Sequence, residues 1–286
     1  MPRIPRGILF VLPTVVFLGA FIAYPLLATA VLSVTDSRGA FVGGANFAEA
    51  FGGRVTRIAL QNTVVYVGAS IVLQMLIGTF AGIVLDQPFR GRSVLRAIIL
   101  IPWIVPGVVA ATTWAWMFHT EFGIVNYLLV QLGMIERSIG WLVRADTVLP
   151  ALIAVNTWKM YPFVAVMVLA GLQGIPASLY EAARVDGATF WDEVRFITLP
   201  QLRPVLGSVL LLLMIWGFNA ITIIYTMTRG GPANRSLILP IQIFRQAFEF
   251  FDFNLAAATS VLLFLFLTTL IAGYLRFFGR AEVTDG

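Results

Sequence analysis

The chain has 286 residues, of which 59% are hydrophobic and only 12% are charged, and its formal net charge is +5. Ordinary soluble domains carry about 25% charged residues, so this composition excludes a single soluble globule. The absence of cysteine excludes disulfides, thiolate metal sites and a cysteine nucleophile. The one histidine, His119, argues against a histidine-based metal site or catalytic triad. The arginines are scattered at the ends of apolar stretches and form no basic stripe, so we expect no nucleic-acid partner.

Long runs without charge dominate the chain. A bilayer-crossing helix needs roughly 20 apolar residues, and five uncharged runs reach that length, while a sixth is interrupted only by Lys159. The six runs are 7–35, 58–85, 97–120, 147–180, 204–228 and 253–275. They are continuous rather than alternating, so they indicate helices and not barrel strands. We predict an all-α polytopic membrane protein with six transmembrane helices.

The first run could be read as a secretory signal, because Arg3 and Arg6 precede it. However, it is much longer than the apolar region of a signal peptide, which spans about 7 to 15 residues. We therefore predict a retained helix. Positive charges favour the cytoplasmic side of a membrane, and Arg90, Arg92 and Arg96 crowd the short loop between the second and third runs. These charges place both termini in the cytoplasm, together with the polar segment between the fourth and fifth runs.

That polar segment, 173–203, carries signals for two short helices. The signals are the pair Ser178 and Glu181 as a capping box, Gly187 after Asp186 as a left-handed stop, Thr189 and Asp192 as a second capping box, and Pro200 as the end of the second helix. They predict two helices joined by a glycine bend. An ordinary interfacial helical hairpin would give the same signals, although it would require no particular spacing to the residues beyond them.

Polar side chains interrupt the fourth and fifth runs near their middle. They are Asn156, Thr157 and Lys159 in the fourth run and Asn219 and Thr222 in the fifth. Intramembrane polar groups are costly and therefore indicate function, although hydrogen bonds between helices would explain the amides equally well. Burying an ammonium in hydrocarbon costs at least ~2.5 kcal/mol. Lys159 is therefore expected to face a wet cavity or a partner carboxylate.

Aromatic side chains lie beside these polar groups: Trp158, Tyr161, Phe163, Trp216 and Phe218. Such a combination suits a sugar, whose ring offers C–H faces and a hydroxyl edge, while lipid-facing or interfacial positions would also explain aromatics. The chain has no GxxxxGK[ST] phosphate loop and no carboxylate pair within a run. A membrane-embedded enzyme, such as a lipid or sugar transferase, would need a convergent acid, base or nucleophile, and none is visible.

The spacing within 173–203 resembles a known family. Glu181-Ala182-Ala183 is followed by Gly187 and then by Ile197-Thr198-Leu199-Pro200, as in the EAA loop of permease subunits of binding-protein-dependent ABC importers. In that family the loop docks the membrane subunit on its ATPase, and a structural or receptor-type membrane protein would not explain this spacing. The resemblance implies the following ATPase-coupling residues: Glu181, Ala182, Ala183, Arg184, Asp186 and Gly187.

From the second run onward, the chain is similar to carbohydrate-type ABC permeases, the branch that contains the maltose and glycerol-phosphate permeases. The matching segments are Asn156-Thr157-Trp158 with Tyr161-Pro162, Gly217-Phe218-Asn219, Gly230-Gly231-Pro232 and Arg245-Gln246-Ala247-Phe248. The substrate pathway implied by the resemblance consists of Asn156, Lys159, Met160, Phe163, Phe218, Asn219 and Thr222. Lysine at position 159 departs from the family, where this position is usually uncharged, and leaves room for an acidic or phosphorylated sugar.

The resemblance also implies an architecture and an assembly. The type I importer permease fold is expected, with 1–57 as an N-terminal transmembrane helix and external loop, and 58–286 as a five-helix core that includes the EAA loop. The chain would be a permease in the plasma or inner membrane rather than an enzyme. Its expected partners are a second, unlike permease, two ATPase subunits, an extracytoplasmic sugar-binding protein, the sugar and the lipid bilayer. ATP and Mg would bind the ATPase, and no cofactor or metal is expected in this chain.

Overall fold

The computed structural model describes residues 6–283, and their side chains from 10 to 276. Arg3 and the side chain of Arg6 lie outside this described part. The described residues are mostly helical, and their β-type pairing is limited to an isolated bridge between Thr35 and Phe41. The helices are α1 Arg6–Leu18, α2 Tyr24–Ser33, α3 Ala45–Gly52, α4 Arg54–Asp86, α5 Arg92–Ile104, α6 Gly107–Met117, α7 Ile124–Gln131, α8 Val148–Leu172, α9 Ala177–Val185, α10 Phe190–Glu193, α11 Leu199–Gln201, α12 Arg203–Gly217, α13 Thr222–Thr228, α14 Leu239–Phe248 and α15 Phe253–Val283, with π-helical segments at Gly19–Ala23 and Val194–Thr198. The all-α prediction is confirmed.

Candidate membrane spans fall into two groups. Four are long, continuous and apolar: Phe10–Ser33, Arg54–Asp86, Val148–Leu172 and Phe253–Arg276. Two further candidates are bent pairs, since α5 meets α6 at 95° and Phe190–Gln201 meets α12 at 64°. The structure thus has four to six candidate spans. It reaches the predicted six when each bent pair is counted as one span.

The 95° bend has a local cause in Val105 and Pro106. Proline disfavours the helical conformation of the residue before it, and Val105 has φ −58° and ψ 129°. Pro106 directly precedes the first turn of α6. Its missing N–H costs no hydrogen bond there, because N–H groups at the start of a helix have no intrahelical partner. The predicted run 97–120 is therefore two helices rather than one straight helix. The X-Pro pair was visible in the sequence, and the prediction of an unbroken run overlooked it.

The predicted run 204–228 is also interrupted. Helix α12 ends at Gly217, and α13 begins only at Thr222. Asn219 Nδ2 donates a hydrogen bond to the carbonyl oxygen of Ile215 at 2.8 Å. This bond satisfies one of the carbonyls left open at the end of a helix. The polar residue in this run therefore stabilises a helix end.

Close packing between α4 and α8 depends on two glycines. A Cβ atom on Gly82 would lie 2.6 Å from Val168 Cγ1, and a Cβ atom on Gly78 would overlap Val164. Residues four apart share one face of a helix, and small residues there let two helices approach closely. The core beside this contact consists of Phe163, Val164, Val168, Leu172, Leu202, Val209 and Leu213. Helix α8 is accordingly the most buried of the four continuous spans.

The chain divides into two compact units. One contains the residues up to Arg57 with Leu239–Thr268, and the other contains Ile58–Ile238 with the residues from Thr269 onward. In the first unit, Asn254 Nδ2 and Asn46 Nδ2 both donate to the carbonyl oxygen of Thr35, at 2.7 and 2.8 Å. These bonds satisfy a carbonyl just beyond the end of α2. The functional division into an N-terminal helix with its loop and a five-helix core stays a prediction.

Candidate functional site: the 173–203 segment and a polar cavity

The first helix of the segment begins earlier than its sequence signal indicates. Helix α9 begins at Ala177, directly after Pro176, and no side chain caps its first turn. The predicted capping box of Ser178 and Glu181 is therefore wrong. Pro176, with φ −59° and ψ 129°, already sets the start of the helix. Ser178 lies inside the first turn, where it cannot act as the cap.

The turn after α9 is a Schellman motif. The N–H of Ala188 donates to the carbonyl oxygen of Ala183 at 2.9 Å, and the N–H of Gly187 donates to that of Arg184 at 3.1 Å. Gly187 has φ +84°, a conformation that glycine adopts freely and that strains β-branched residues. The predicted glycine stop is confirmed.

The second helix begins as predicted and ends within one residue of the predicted position. The N–H of Asp192 donates to Thr189 Oγ1, and the N–H of Thr189 donates to Asp192 Oδ2, so the predicted capping box is confirmed. The helix ends at Gln201, one residue after Pro200, and meets α12 at a bend of 64°, so the predicted end is confirmed to within one residue. A π turn, in which the N–H of Leu199 donates to the carbonyl oxygen of Val194, carries the chain into the turn that contains the proline.

An ion pair joins the two helical stretches. Arg184 Nε lies 2.6 Å from Glu193 Oε1, and Arg184 Nη2 lies 3.3 Å from Glu193 Oε2. The glutamate side chain is mostly buried, whereas the arginine side chain is mostly exposed. The hydrogen bond to Glu193 raises the pKa of Arg184 above its usual value. Arg184, predicted as a coupling residue, thus also fixes the angle of the turn, and the sequence analysis missed Glu193 altogether.

The segment exposes both polar and apolar groups. Among the predicted coupling residues, Ala183 is half-buried and the others are exposed: Glu181, Ala182, Arg184, Asp186 and Gly187. Large apolar side chains nearby are also exposed, with Val185 at 87%, Trp191 at 69% and Phe196 at 66%. Exposed apolar groups in a cluster are typical of a protein interaction surface. We call this set of exposed residues the loop surface.

A cavity of about 180 Å³ lies among five helices of the larger unit. Helices α4, α6, α8, α12 and α13 line it through Val67, Ser70, Ile71, Gln74, Gly107, Asn156, Lys159, Met160, Leu213, Trp216, Gly217, Thr222 and Ile223, with Ala220 from the α12–α13 connection. Four of the seven predicted pathway residues belong to this lining: Asn156, Lys159, Met160 and Thr222. The other three, Phe163, Phe218 and Asn219, do not.

Lys159 is the only ionisable residue in the cavity lining. Its Nζ donates a 2.6 Å hydrogen bond to the carbonyl oxygen of Val105. Val105 lies at the bend between α5 and α6. Lys159, on α8, therefore binds the backbone at the bend of another candidate span. The sequence analysis expected a wet cavity or a carboxylate, and the structure provides a cavity and a backbone carbonyl.

The polar lining includes two residues that the sequence analysis did not single out. Gln74 Nε2 donates to the backbone carbonyl oxygen of Asn156 at 3.3 Å. The hydroxyl of Ser70 is buried and has no hydrogen-bond partner among the described residues. Both residues lie on α4, inside the run 58–85, and they are four positions apart. That spacing puts them on one helix face, and this shared polar face was the sequence signal that could have identified them.

The three predicted residues outside the lining have other contacts. Phe163 is buried and packs edge-on against Trp216, with ring centroids 4.8 Å apart. Because Trp216 lines the cavity, Phe163 supports the lining from behind. Phe218 is buried, and the amide of Asn219 binds its own helix as described above.

Comparison with known proteins now identifies the family. Residues 74–281 match the family described as "Binding-protein-dependent transport system inner membrane component". The chain belongs to this family. The matched range contains the whole 173–203 segment and most of the cavity lining.

Similar full-length proteins agree with this assignment. The chain is 33% identical to the trehalose/maltose transport system permease protein MalF of Thermococcus litoralis, over 94% of this chain and 92% of that protein. It is 31% identical to the lactose transport system permease protein LacF of Rhizobium radiobacter, over 97% and 94%. A chain in the crystal structure of a bacterial ABC transporter involved in alginate import has the same fold, with a TM-score of 0.85, 20% identity, and coverage of 95% and 94%.

The chain is therefore an inner membrane permease of an ABC importer with the type I permease fold. The proteins to which it is similar are transport components, and none of these comparisons supports the alternative of a membrane-embedded enzyme.

Proposed function

We propose that this permease moves a sugar or sugar derivative into the cytoplasm, driven by ATP hydrolysis on a partner subunit. The cavity carries the proposal. Its lining combines the neutral hydrogen-bonding groups of Ser70, Gln74 and Asn156 with the indole of Trp216, and this combination fits a ring with a hydroxyl edge and C–H faces. The names of the trehalose/maltose and lactose permeases support a carbohydrate as the substrate.

The loop surface is the proposed contact with the ATPase. Helix α9 would enter a cleft of that subunit, with Glu181 and Asp186 as polar contacts and Val185 as an apolar one. The Schellman turn at Gly187 and the ion pair between Arg184 and Glu193 hold the two helical stretches at a fixed angle. A rigid connection of this kind can transmit a movement of the ATPase to α12, which follows α11 in the chain.

The proposed assembly contains more than one permease. This chain has one such loop, whereas two ATPase subunits need two docking loops, and we propose a second, unlike permease as the other half of a pseudo-symmetric pair. An extracytoplasmic binding protein would deliver the sugar, and the ATPases would hold ATP and Mg. Both termini and the loop surface would then face the cytoplasm.

Reconstitution tests the proposal directly. The permease is co-expressed and purified with a candidate ATPase and second permease, a candidate binding protein is added, and uptake of radiolabelled sugars into proteoliposomes is measured with and without ATP. ATP-dependent uptake that requires the binding protein is expected, and Glu181→Ala should reduce it while the complex still assembles. Native mass spectrometry should find two unlike permeases. A complex with no ATP-dependent uptake of any sugar would contradict the transport proposal, and two identical permeases would contradict the pairing.

A further inference from the structure

The charge of Lys159 is not balanced by any acidic side chain near it. None of the ion pairs among the side chains of residues 10–276 includes Lys159, and the cavity lining contains no acid. Among the described side chains of the larger unit, the acidic residues lie at the end of α4, in the connections on either side of α7, or in the 173–203 segment. The cavity therefore carries one net positive charge from the chain itself.

The bond to Val105 positions this charge without neutralising it. An ammonium has three donors, and the carbonyl oxygen of Val105 accepts from Nζ at 2.6 Å. A backbone carbonyl supplies a partial negative charge only, so this bond does not pair the charge of the protonated lysine. Since Val105 lies at the 95° bend, the carbonyl is available to a side chain rather than to a helix bond.

The other polar groups of the lining are neutral. Ser70, Gln74 and Asn156 offer hydroxyl and amide groups, and the Ser70 hydroxyl has no partner among the described residues. A positive charge in a site of low dielectric is costly unless it is paired. A neutral sugar would satisfy the hydroxyl and amide groups and leave that cost in place. A sugar with an anionic group would satisfy the hydroxyl and amide groups and would also pair the charge of Lys159.

We infer that the cavity selects a sugar that carries a carboxylate, sulfonate or phosphate group, with Lys159 as the residue that recognises the anion. This inference rests on the proposed sugar transport and narrows its substrate class. The hydroxyls of the sugar bind Ser70, Gln74 and Asn156, while the anionic group lies against Nζ. Lys159 is thus a specificity-determining residue, and the carbonyl of Val105 holds it in position.

Paired probes that differ in one group test the inference. The complete permease–ATPase complex, without its binding protein, is titrated in nanodiscs with methyl glucoside and three methyl glycosides altered only at C6: methyl glucuronide, methyl 6-deoxy-6-sulfoglucoside and methyl glucoside 6-phosphate. Binding is followed by ligand-observed NMR. We expect at least one anionic probe to bind about tenfold more tightly than the glucoside, with a preference that weakens as salt is added. The three anionic probes distinguish carboxylate, sulfonate and phosphate.

Variants assign the preference to the lysine. Lys159→Met should weaken binding of the preferred anionic probe about tenfold more than it changes binding of the glucoside, whereas Lys159→Arg should keep the preference because it keeps the charge. Ser208→Ala is the matched control, since Ser208 is exposed and its hydroxyl bonds only to its own helix, at Pro204. If Lys159→Met fails to fold, the inference is still tested by whether the wild type and Lys159→Arg bind an anionic probe more tightly than the glucoside.

Two results would overturn the inference: equal binding of the neutral and anionic probes by the wild type, and no binding of any probe. If equal binding is found together with loss of the permease pair in Lys159→Met, Lys159 pairs instead with an acidic group of the second permease. In each case ATP-dependent uptake of a neutral sugar would leave the proposed function intact, whereas its absence for every sugar would contradict the proposed function as well.

Discussion

The loop surface and the cavity are built in opposite ways. The loop is exposed, and most of the bonds that shape it join residues within six positions of each other, as in the Schellman turn at Gly187 and the box at Thr189. The cavity is lined by five helices, and its bonds join distant residues, such as Lys159 with Val105. Local bonds allow a segment to act as one rigid unit. Long-range bonds make a site depend on how the helices pack.

The largest expected effect tests the local geometry of the loop. Gly187→Val places a β-branched residue at φ +84°, which costs on the order of 1–3 kcal/mol. A cost in that range lowers the equilibrium constant for forming the native turn about 5- to 150-fold, and we expect ATP-driven uptake to fall about fivefold or more. Gly187→Asn is the control, because asparagine tolerates the left-handed region. Normal uptake by the valine variant would show that the turn does not control coupling.

The second effect tests the dependence of the cavity on helix packing. Gly82→Ala would place a Cβ atom 2.6 Å from Val168 Cγ1 and close to backbone, and overpacking of this kind typically costs about 1–3 kcal/mol. We expect a lower thermal unfolding temperature for the purified complex. Gly68→Ala on the same helix meets no described atom within 4 Å apart from the neighbouring turns of its own helix and should change that temperature little. Equal effects of the two substitutions would contradict the packing proposed for α4 and α8.

The third prediction compares an asparagine that lines the cavity with an asparagine that does not. Asn156 lines the cavity, whereas Asn219 binds its own helix at Ile215. We expect Asn156→Ala to raise the KM for sugar uptake several-fold, because an amide in the lining is lost. Asn219→Ala should change the KM less than about twofold, since a single exposed hydrogen bond contributes little. The reverse order would move the substrate site away from this cavity.

The smallest effect concerns the ion pair in the loop. Arg184→Met and Glu193→Gln should each reduce uptake a few-fold, because the paired carboxylate is mostly buried and loses its partner or its charge. If the two side chains act together, the double variant should lose no more uptake than the more impaired of the two single variants. Strictly additive losses in a double-mutant cycle would instead give Arg184 and Glu193 separate roles.

The loop was largely predictable because its signals are local. Thr189 with Asp192 and Gly187 were correctly interpreted from residues next to one another. The error at Ser178 arose because Pro176 offered a stronger start signal two residues earlier. The end of the second helix at Pro200 was predicted to within one residue, but the π turn at Val194–Thr198 was not, because sequence spacing does not reveal a π turn.

The cavity was only partly predictable. Lys159 and Asn156 were identified because polar groups in a span are costly wherever they point. Ser70 and Gln74 were missed, since their importance depends on which helix faces them. Asn219 is the opposite case: it was predicted to line the pathway, but its side chain binds the end of its own helix.

The sequence by itself determined the membrane class, the EAA spacing and the glycine turn, because composition, spacing and backbone conformation are properties of adjacent residues. Only the tertiary structure decided which polar residues meet in the cavity and that Lys159 binds Val105, fifty-four positions earlier in the chain. The glycines of α4 let α8 approach closely, and the X-Pro bend brings a carbonyl to the lysine. Contacts of this kind depend on the positions of several helices at once, which no local pattern specifies.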